Sequence, residues 1–207
     1  MSSQLERAVE VMDRLRSPGG CPWDAEQTHA SLAKYLVEET YELLEAIETD
    51  DLTLLREELG DLLLQVLFHA RLTEELPPGE AFSIEDVAAD LVDKLVRRHP
   101  HVFGDAVVTD AATLNETWEH QKVAEKGRTS SIDGVPLSQP ALALAAKLVS
   151  RAGRAGLDVS PAPTSDMGER LFALVREAVD AGVDPETALR ETARAFRAAM
   201  VQAEAAP

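Results

Sequence analysis

An all-α fold is what this sequence predicts, and three observations carry the prediction. Aromatic residues make up only 4 % of a chain that is 45 % apolar, so the core has to be assembled mainly from Leu, Val and Ala, which suits helices packed on helices. Apolar residues recur at three- and four-residue spacing through most segments. No stretch shows the strict alternation of a half-buried strand. The 207 residues suffice for one domain with a real core, or for one domain and a small appendage. A bundle-like architecture follows.

The elements can be placed in order. Residues 3–16 predict an amphipathic helix with Leu5, Val9, Met12 and Leu15 on one stripe, stopped by Ser17-Pro18-Gly19-Gly20. After a loop through Cys21-Pro22-Trp23-Asp24, a second helix runs from about Ser31 to Glu48. Thr49-Asp50-Asp51 makes a turn, and a very apolar third helix covers about Leu52 to Glu75. Ser83 with Asp86 has the spacing of a capping box and opens a fourth helix lasting to Arg98. His99-Pro100-His101 breaks the pattern, and a fifth helix spans Ala111 to Lys126. Beyond Pro140 the chain turns Ala-rich, with helices over 141–155, 166–181 and 185–203 and a linker over 156–164.

Composition removes several classes of function. A formal net charge of −17 opposes a nucleic-acid or anionic-membrane surface, because phosphate backbones need a basic footprint. Cys21 is the single cysteine, so there is neither an internal disulfide nor a thiolate metal cage. The N-terminus lacks an apolar signal core and no apolar run approaches membrane-spanning length. These features predict a cytoplasmic protein that binds neither nucleic acid nor membrane.

The chemistry sits in misplaced carboxylates. On the second helix Leu32, Leu36, Leu43 and Ile47 define the apolar face; Glu39 falls inside it and Glu42 at its margin, while Glu38, Glu45 and Glu48 point progressively away. On the third helix Glu58 lies between Leu55 and Leu62 on the wheel, with Asp61 its neighbour one turn on. Acidic helices usually present solvated faces, a reading that suits Glu45, Glu48 and Glu57. It does not suit Glu39, Glu42, Glu58 and Asp61, because a buried carboxylate needs a cation. Basic partners are scarce on these helices: Lys34, Arg56 and the distant Arg71. A hard divalent ion with oxygen ligands is the natural neutraliser, Mg²⁺ with Mn²⁺ as a substitute, and Mg²⁺ commonly binds a few carboxylates together with substrate phosphates. A carboxylate-bridged di-iron bundle would need Glu-x-x-His elements; the i+3 partners here are Glu42 and Asp61.

In this arrangement the sequence resembles the MazG family of nucleoside triphosphate pyrophosphohydrolases. The resemblance rests on Glu38-Glu39-Thr40-Tyr41-Glu42 followed by Glu58-Leu59-Gly60-Asp61, on Gly20-Cys21-Pro22-Trp23-Asp24 upstream, on Lys94 to Phe103 downstream, and on Trp118-Glu119 with Lys122. It implies a helical bundle completed by dimerisation, and Mg²⁺-dependent hydrolysis of a nucleoside triphosphate to a monophosphate and pyrophosphate. Glu39, Glu42, Glu58 and Asp61 become metal ligands. Glu38 and Glu39 take the catalytic role, Glu38 as the group that orients water. Lys94, Arg97 and Arg98, at i, i+3 and i+4, become a cationic face for polyphosphate; the bland alternative is a solvated helix end. Trp118 is placed to stack on a base, with Lys122 one turn further along. A catalytically weak regulatory or scaffolding protein is the other reading compatible with the family.

Long relatives carry two tandem copies of the domain, and the second half here resembles a shortened, degenerate one. Asp166 and Glu169 persist, but no Glu-Glu-x-x-Glu helix precedes them, and Ala195, Ala198 and Ala199 stand where cations are expected. The expected organisation is a catalytic domain over 1–127, a connecting helix and linker over 128–165, and a partial repeat over 166–207. His99 and His101 without a third ligand read as a helix stop, Cys21 and Trp23 as loop packing, and His29 as a helix-start residue.

Overall fold

The structure, a computed structural model, describes residues 3–105, 130–159 and 166–205. The chain divides into two compact units, residues 1–109 and 110–207. All regular structure among the described residues is helical. The fifth helix expected over 111–126, with Trp118 and Lys122, lies outside the described residues.

In the first unit α1 (Gln4–Arg16) starts at a capping box in which Ser3 and Glu6 satisfy each other's backbone N–H. The chain then turns sharply: Cys21 N–H donates to Leu15 O at 2.7 Å, and a Cβ on Gly20 would lie 2.2 Å from that same carbonyl oxygen, so only glycine fits. The following stretch, expected as loop, forms a short helix α2 (Pro22–Glu26). Pro22 has its φ preset for a first helical turn and no N–H to lose there.

Helix α3 (His29–Glu48) begins two residues earlier than the apolar periodicity suggests, because Thr28 is the N-cap and Ser31 closes its capping box. A tight turn, with Asp50 at φ 54°, leads to α4 (Leu52–Thr73). There the Asp51 carboxylate accepts from Thr53 and Leu54 N–H. Helices α3 and α4 pack together as a hairpin. Ser83 and Asp86 form the expected capping box at the head of α5 (Ile84–Arg98). His99 closes that helix, its Nδ1 2.6 Å from Leu95 O, and Pro100 starts the single turn α6 (Pro100–Phe103). Removing the Ser83 hydroxyl in Ser83→Ala is expected to cost about 1 kcal/mol, read as a lowered urea midpoint with an unchanged slope.

Met12, Leu32, Leu67, Phe68 and Leu72 form the core of this unit, with Val9, Leu15, Tyr35, Leu63 and Ile84 packed around them. Beside the core, the Arg16 guanidinium binds both oxygens of Glu75 at 2.8 and 3.0 Å and donates to the carbonyls of Asp24 and Gln27. One cation thereby ties α1 to α2 and to the end of α4. The apolar stripe expected on α3 is only partly covered: Leu32 is buried, whereas Leu36 and Ile47 are exposed. Tyr41, Leu59 and Leu64 are exposed too, as are Leu91, Val92, Leu95 and Val96 of α5.

The second unit contains α7 (Ala141–Arg154), α8 (Met167–Asp180) and α9 (Pro185–Ala205). Helix α7 packs on both others, and Val175 is buried. Arg151 donates to Ser131 O at 2.9 Å, fastening the preceding turn. Among the described residues no helix is long and apolar enough to cross a membrane.

Candidate functional site

The hairpin of α3 and α4 builds the site from four side chains. Glu39 and Glu42 are one turn apart on α3, and Glu58 and Asp61 one turn apart on α4, so each helix offers two carboxylates on one face. One oxygen each from Glu39, Glu58 and Asp61 lies within 4.8 Å of the others, the single such group of metal-ligating side chains among the described residues. Glu42 stands beside them, near enough for its charge to act on Glu58. Burial is graded. Glu58 is 6 % exposed, Glu39 and Asp61 are half-buried, and Glu42 is exposed. The wheel thus located the buried carboxylate on α4 correctly and overstated the enclosure of Glu42, which sits at the open rim.

Electrostatically the group is unbalanced. Burial, then the charges of Asp61, Glu42, Glu58 and Glu38, push the Glu39 carboxyl above its ordinary range. Burial, then Glu42, Asp61 and Glu57, do the same to Glu58. Among the described residues, each charge that moves these two groups is another carboxylate. The Glu58 Oε2 atom is also buried without a hydrogen-bond partner. A buried anionic oxygen that lacks a donor, facing further carboxylates, is a poor arrangement for protein alone. It fits a hard divalent cation, which supplies the missing positive charge and takes oxygen ligands without demanding N–H geometry. Glu38 is exposed on the flank of this group, near enough for its charge to act on Glu39.

The remaining candidates are placed differently. Lys94 and Arg97 are exposed and Arg98 half-buried, all near the C-terminal end of α5. That helix packs against α4, but its cations are not among the charges acting on Glu39 and Glu58. His69, too far along α4 to serve as a di-iron ligand, is paired with His29, Nδ1 to Nδ1 at 2.7 Å. Trp23 is half exposed and meets the Tyr35 ring edge-on at 5.9 Å. In the second unit Asp166 acts as an N-cap, accepting from Glu169 N–H at 2.8 Å. Its carboxylate is committed to a helix end.

Fold and site define a class: an all-α protein built on an acidic helix hairpin. Residues 27–103, which span that hairpin and α5, match the family described as the MazG nucleotide pyrophosphohydrolase domain. The chain is 40 % identical to the nucleoside triphosphate pyrophosphohydrolase/pyrophosphatase MazG of Thermotoga maritima, with 93 % of this chain and 82 % of that protein aligned. It belongs to the MazG family. It is also 53 % identical to an uncharacterised 26.1 kDa protein of Streptomyces cacaoi, over 98 % of this chain and 83 % of that one. With the nucleoside triphosphate pyrophosphohydrolase of Mycolicibacterium smegmatis it shares 45 % identity over 98 % of its length, covering 60 % of that longer protein. A solved mazG-related protein from Thermotoga maritima superimposes with a TM-score of 0.47 at 28 % identity, over 56 % of this chain and 97 % of that one.

Proposed function

We propose that this protein is a Mg²⁺-dependent nucleoside triphosphate pyrophosphohydrolase, releasing a monophosphate and pyrophosphate from ribo- or deoxyribonucleotides, standard or non-standard. The observation that carries the reading is the partnerless, buried Oε2 of Glu58 within a carboxylate group on the family-matched hairpin. Glu39, Glu42, Glu58 and Asp61 hold the ion, and Mn²⁺ can take its place because every donor is a carboxylate oxygen. Bound there, the cation supplies Lewis-acid charge and lowers the pKa of a water.

The chain's own groups do the rest. Glu38, on the flank of the ligand group, orients the attacking water, with Glu39 beside it. The water oxygen bonds to the α-phosphorus as the bond from that phosphorus to the α–β bridging oxygen breaks; pyrophosphate leaves with the bridging oxygen, and the proton the water sheds passes by way of Glu38 to solvent. Lys94, Arg97 and Arg98 take the outer phosphates, which lets so acidic a protein accept so anionic a ligand. Trp118 stacks on the base, with Lys122 alongside.

The working form is a homodimer in the cytoplasm. Its interface draws on the apolar residues left uncovered on α3, α4 and α5, whose side chains association would remove from water. Residues 166–207 form a degenerate second repeat that serves packing, after a catalytic domain over 1–127 and a connection over 128–165.

Two measurements test this reading. Purified protein incubated with Mg²⁺ and a panel of triphosphates should yield monophosphate and pyrophosphate; orthophosphate as the first product, or no turnover of any triphosphate, sinks it. Light scattering after size exclusion should give twice the 22.4 kDa chain mass, and Leu95→Glu on α5 should shift the protein toward monomer. A monomeric wild type ends the dimer proposal.

A further inference from the structure

The α3–α4 hairpin is closed at two places. One is the turn over residues 49–51. The other lies toward its open end, where His29, the first residue of α3, meets His69 of α4. The two Nδ1 atoms are 2.7 Å apart, the ring planes lie within 2° of each other, and the ring centroids are 5.0 Å apart. Rings this close at their nitrogens and this far apart at their centres meet end to end, each Nδ1 aimed at the other. Two imidazole nitrogens in such a contact need one hydrogen between them and have no room for two.

The proton count of the pair therefore decides whether the contact survives. With both rings neutral, one Nδ1 donates and the other accepts. A first added proton goes to His29, which is exposed, and leaves a charge-assisted N–H···N bond in place. A second, on His69, sets two N–H groups and two positive charges head to head, and the contact has to break. It would also leave an N–H at His69 Nε2, an atom buried without a partner. Burial, then the charge of His29, holds the His69 pKa below its ordinary 6.5. Among the described residues His29 is the one charged group that acts on it. Glu26 of α2, Lys34 of α3, Arg71, Glu74 and Glu75 at the end of α4, and Glu85, Asp86, Asp90 and Asp93 of α5 do not. The side chains beside the pair, Leu36 of α3, Gln65 and Val66 of α4, Phe82, and Val87 of α5, are uncharged. No anion is at hand to steady a doubly charged pair.

We propose that the His29–His69 pair is a proton-operated clasp: it holds the start of α3 against α4 while it carries at most one added proton, and a second proton releases that end of the hairpin. Leu32, one turn further along α3, stays in the core, so the release is confined to the clasp end and does not unfold the unit. The turn end of the hairpin has no part in it. The proposal is independent of the hydrolytic reading above.

The test uses the full chain in chelator and compares wild type with His69→Gln by urea unfolding, from about pH 8 down to about pH 5. Glutamine can donate to His29 or accept from it, and it does not titrate. The carboxylates are common to both proteins and cancel in the comparison. His69 has a lower pKa folded than unfolded, so its stabilisation is present above 6.5 and is lost as pH falls toward the folded value. The unfolding constant of wild type, divided by that of His69→Gln, should be flat above 6.5 and grow by up to about tenfold per pH unit below it. Hydrogen exchange, corrected for intrinsic rates, should show residues 29–36 and 66–73 losing protection over the same range in wild type and keeping it in His69→Gln. Residues 45–55 around the turn should hold in both. A flat ratio overturns the proposal. So does a growing ratio with protection lost evenly along the hairpin, because His69 is then only a buried histidine. If His69→Gln melts below the assay temperature, nitrogen-15 spectra of the wild-type imidazoles decide. The clasp requires one protonated and one bare Nδ1 at neutral pH, with both protonated only as residues 29–36 lose protection; two bare Nδ1 atoms at neutral pH overturn it.

Discussion

Glu58→Gln is expected to cut kcat/KM by at least about 100-fold while raising the melting temperature of the metal-free protein. The two effects have one cause. Glu58 is the most buried of the four carboxylates, burial and neighbouring acids oppose its ionisation, and its Oε2 finds no donor among the described residues. An amide keeps the shape, removes the charge, and offers an N–H to Glu42 or Asp61. The metal-free hairpin therefore relaxes. With the divalent cation the ranking reverses, because the substituted site has one fewer anionic oxygen for the ion, and losing even a residue that only hydrogen-bonds a metal ligand costs about 10- to 100-fold. Steady-state kinetics with Mg²⁺ and calorimetry in chelator make the two measurements on one preparation. A variant that is less active and also less stable in chelator would mean that Glu58 supports the fold, and the metal assignment would fail.

Much of this hairpin was legible in the sequence, for a definite reason. Glu39 and Glu58 occupy positions where the wheel demands an apolar residue, and four acidic residues at i,i+3 spacing on consecutive helices leave few structural explanations. The cap at Ser83 was equally plain, because the capping box is local chemistry between residues three apart. What depends on tertiary contact was not. Pro22-Trp23-Asp24 read as loop, yet Arg16 reaching the carbonyls of Asp24 and Gln27 holds it helical. Glu42 lies at the margin of its stripe, and only the packed hairpin shows that the margin is open. His29 reads in the sequence as a helix-start residue, and no local pattern marks His69 as its partner. Their pairing follows from register: once Glu39 faces Glu58 and Asp61 across an antiparallel hairpin, residues near the far ends must also meet. That signal was available in the spacing.

Stability measured with and without Mg²⁺ should separate progressively as pH rises from about the ordinary glutamate value of 4.5 toward neutrality. The sign follows from the direction of the shifts. Glu39 and Glu58 have folded-state pKa values above their ordinary range, so between the two values the native state holds protons that the unfolded chain releases. Their contribution is fully present below the unfolded pKa and is lost as pH rises through the folded one. Metal-free protein consequently loses stability across this window. Mg²⁺ works the other way, because its ligands must be deprotonated and its binding releases those protons. At a hundredfold excess over Kd the ion contributes about 2.7 kcal/mol, a gain that shrinks as acid refills the carboxylates. Glu75, Asp86 and Asp184 have lowered pKa values, from the Arg16 hydrogen bond, the Ser83 backbone and the Thr187 hydroxyl respectively. Their stabilisation is lost as pH falls, but it is common to both conditions and cancels in the difference. Melting curves in chelator and in Mg²⁺ at half-unit pH steps should therefore diverge with rising pH, and Glu58→Gln should flatten the divergence. Parallel curves in wild type would show that the acidic hairpin takes up no divalent ion, and the proposed chemistry would lose its cation.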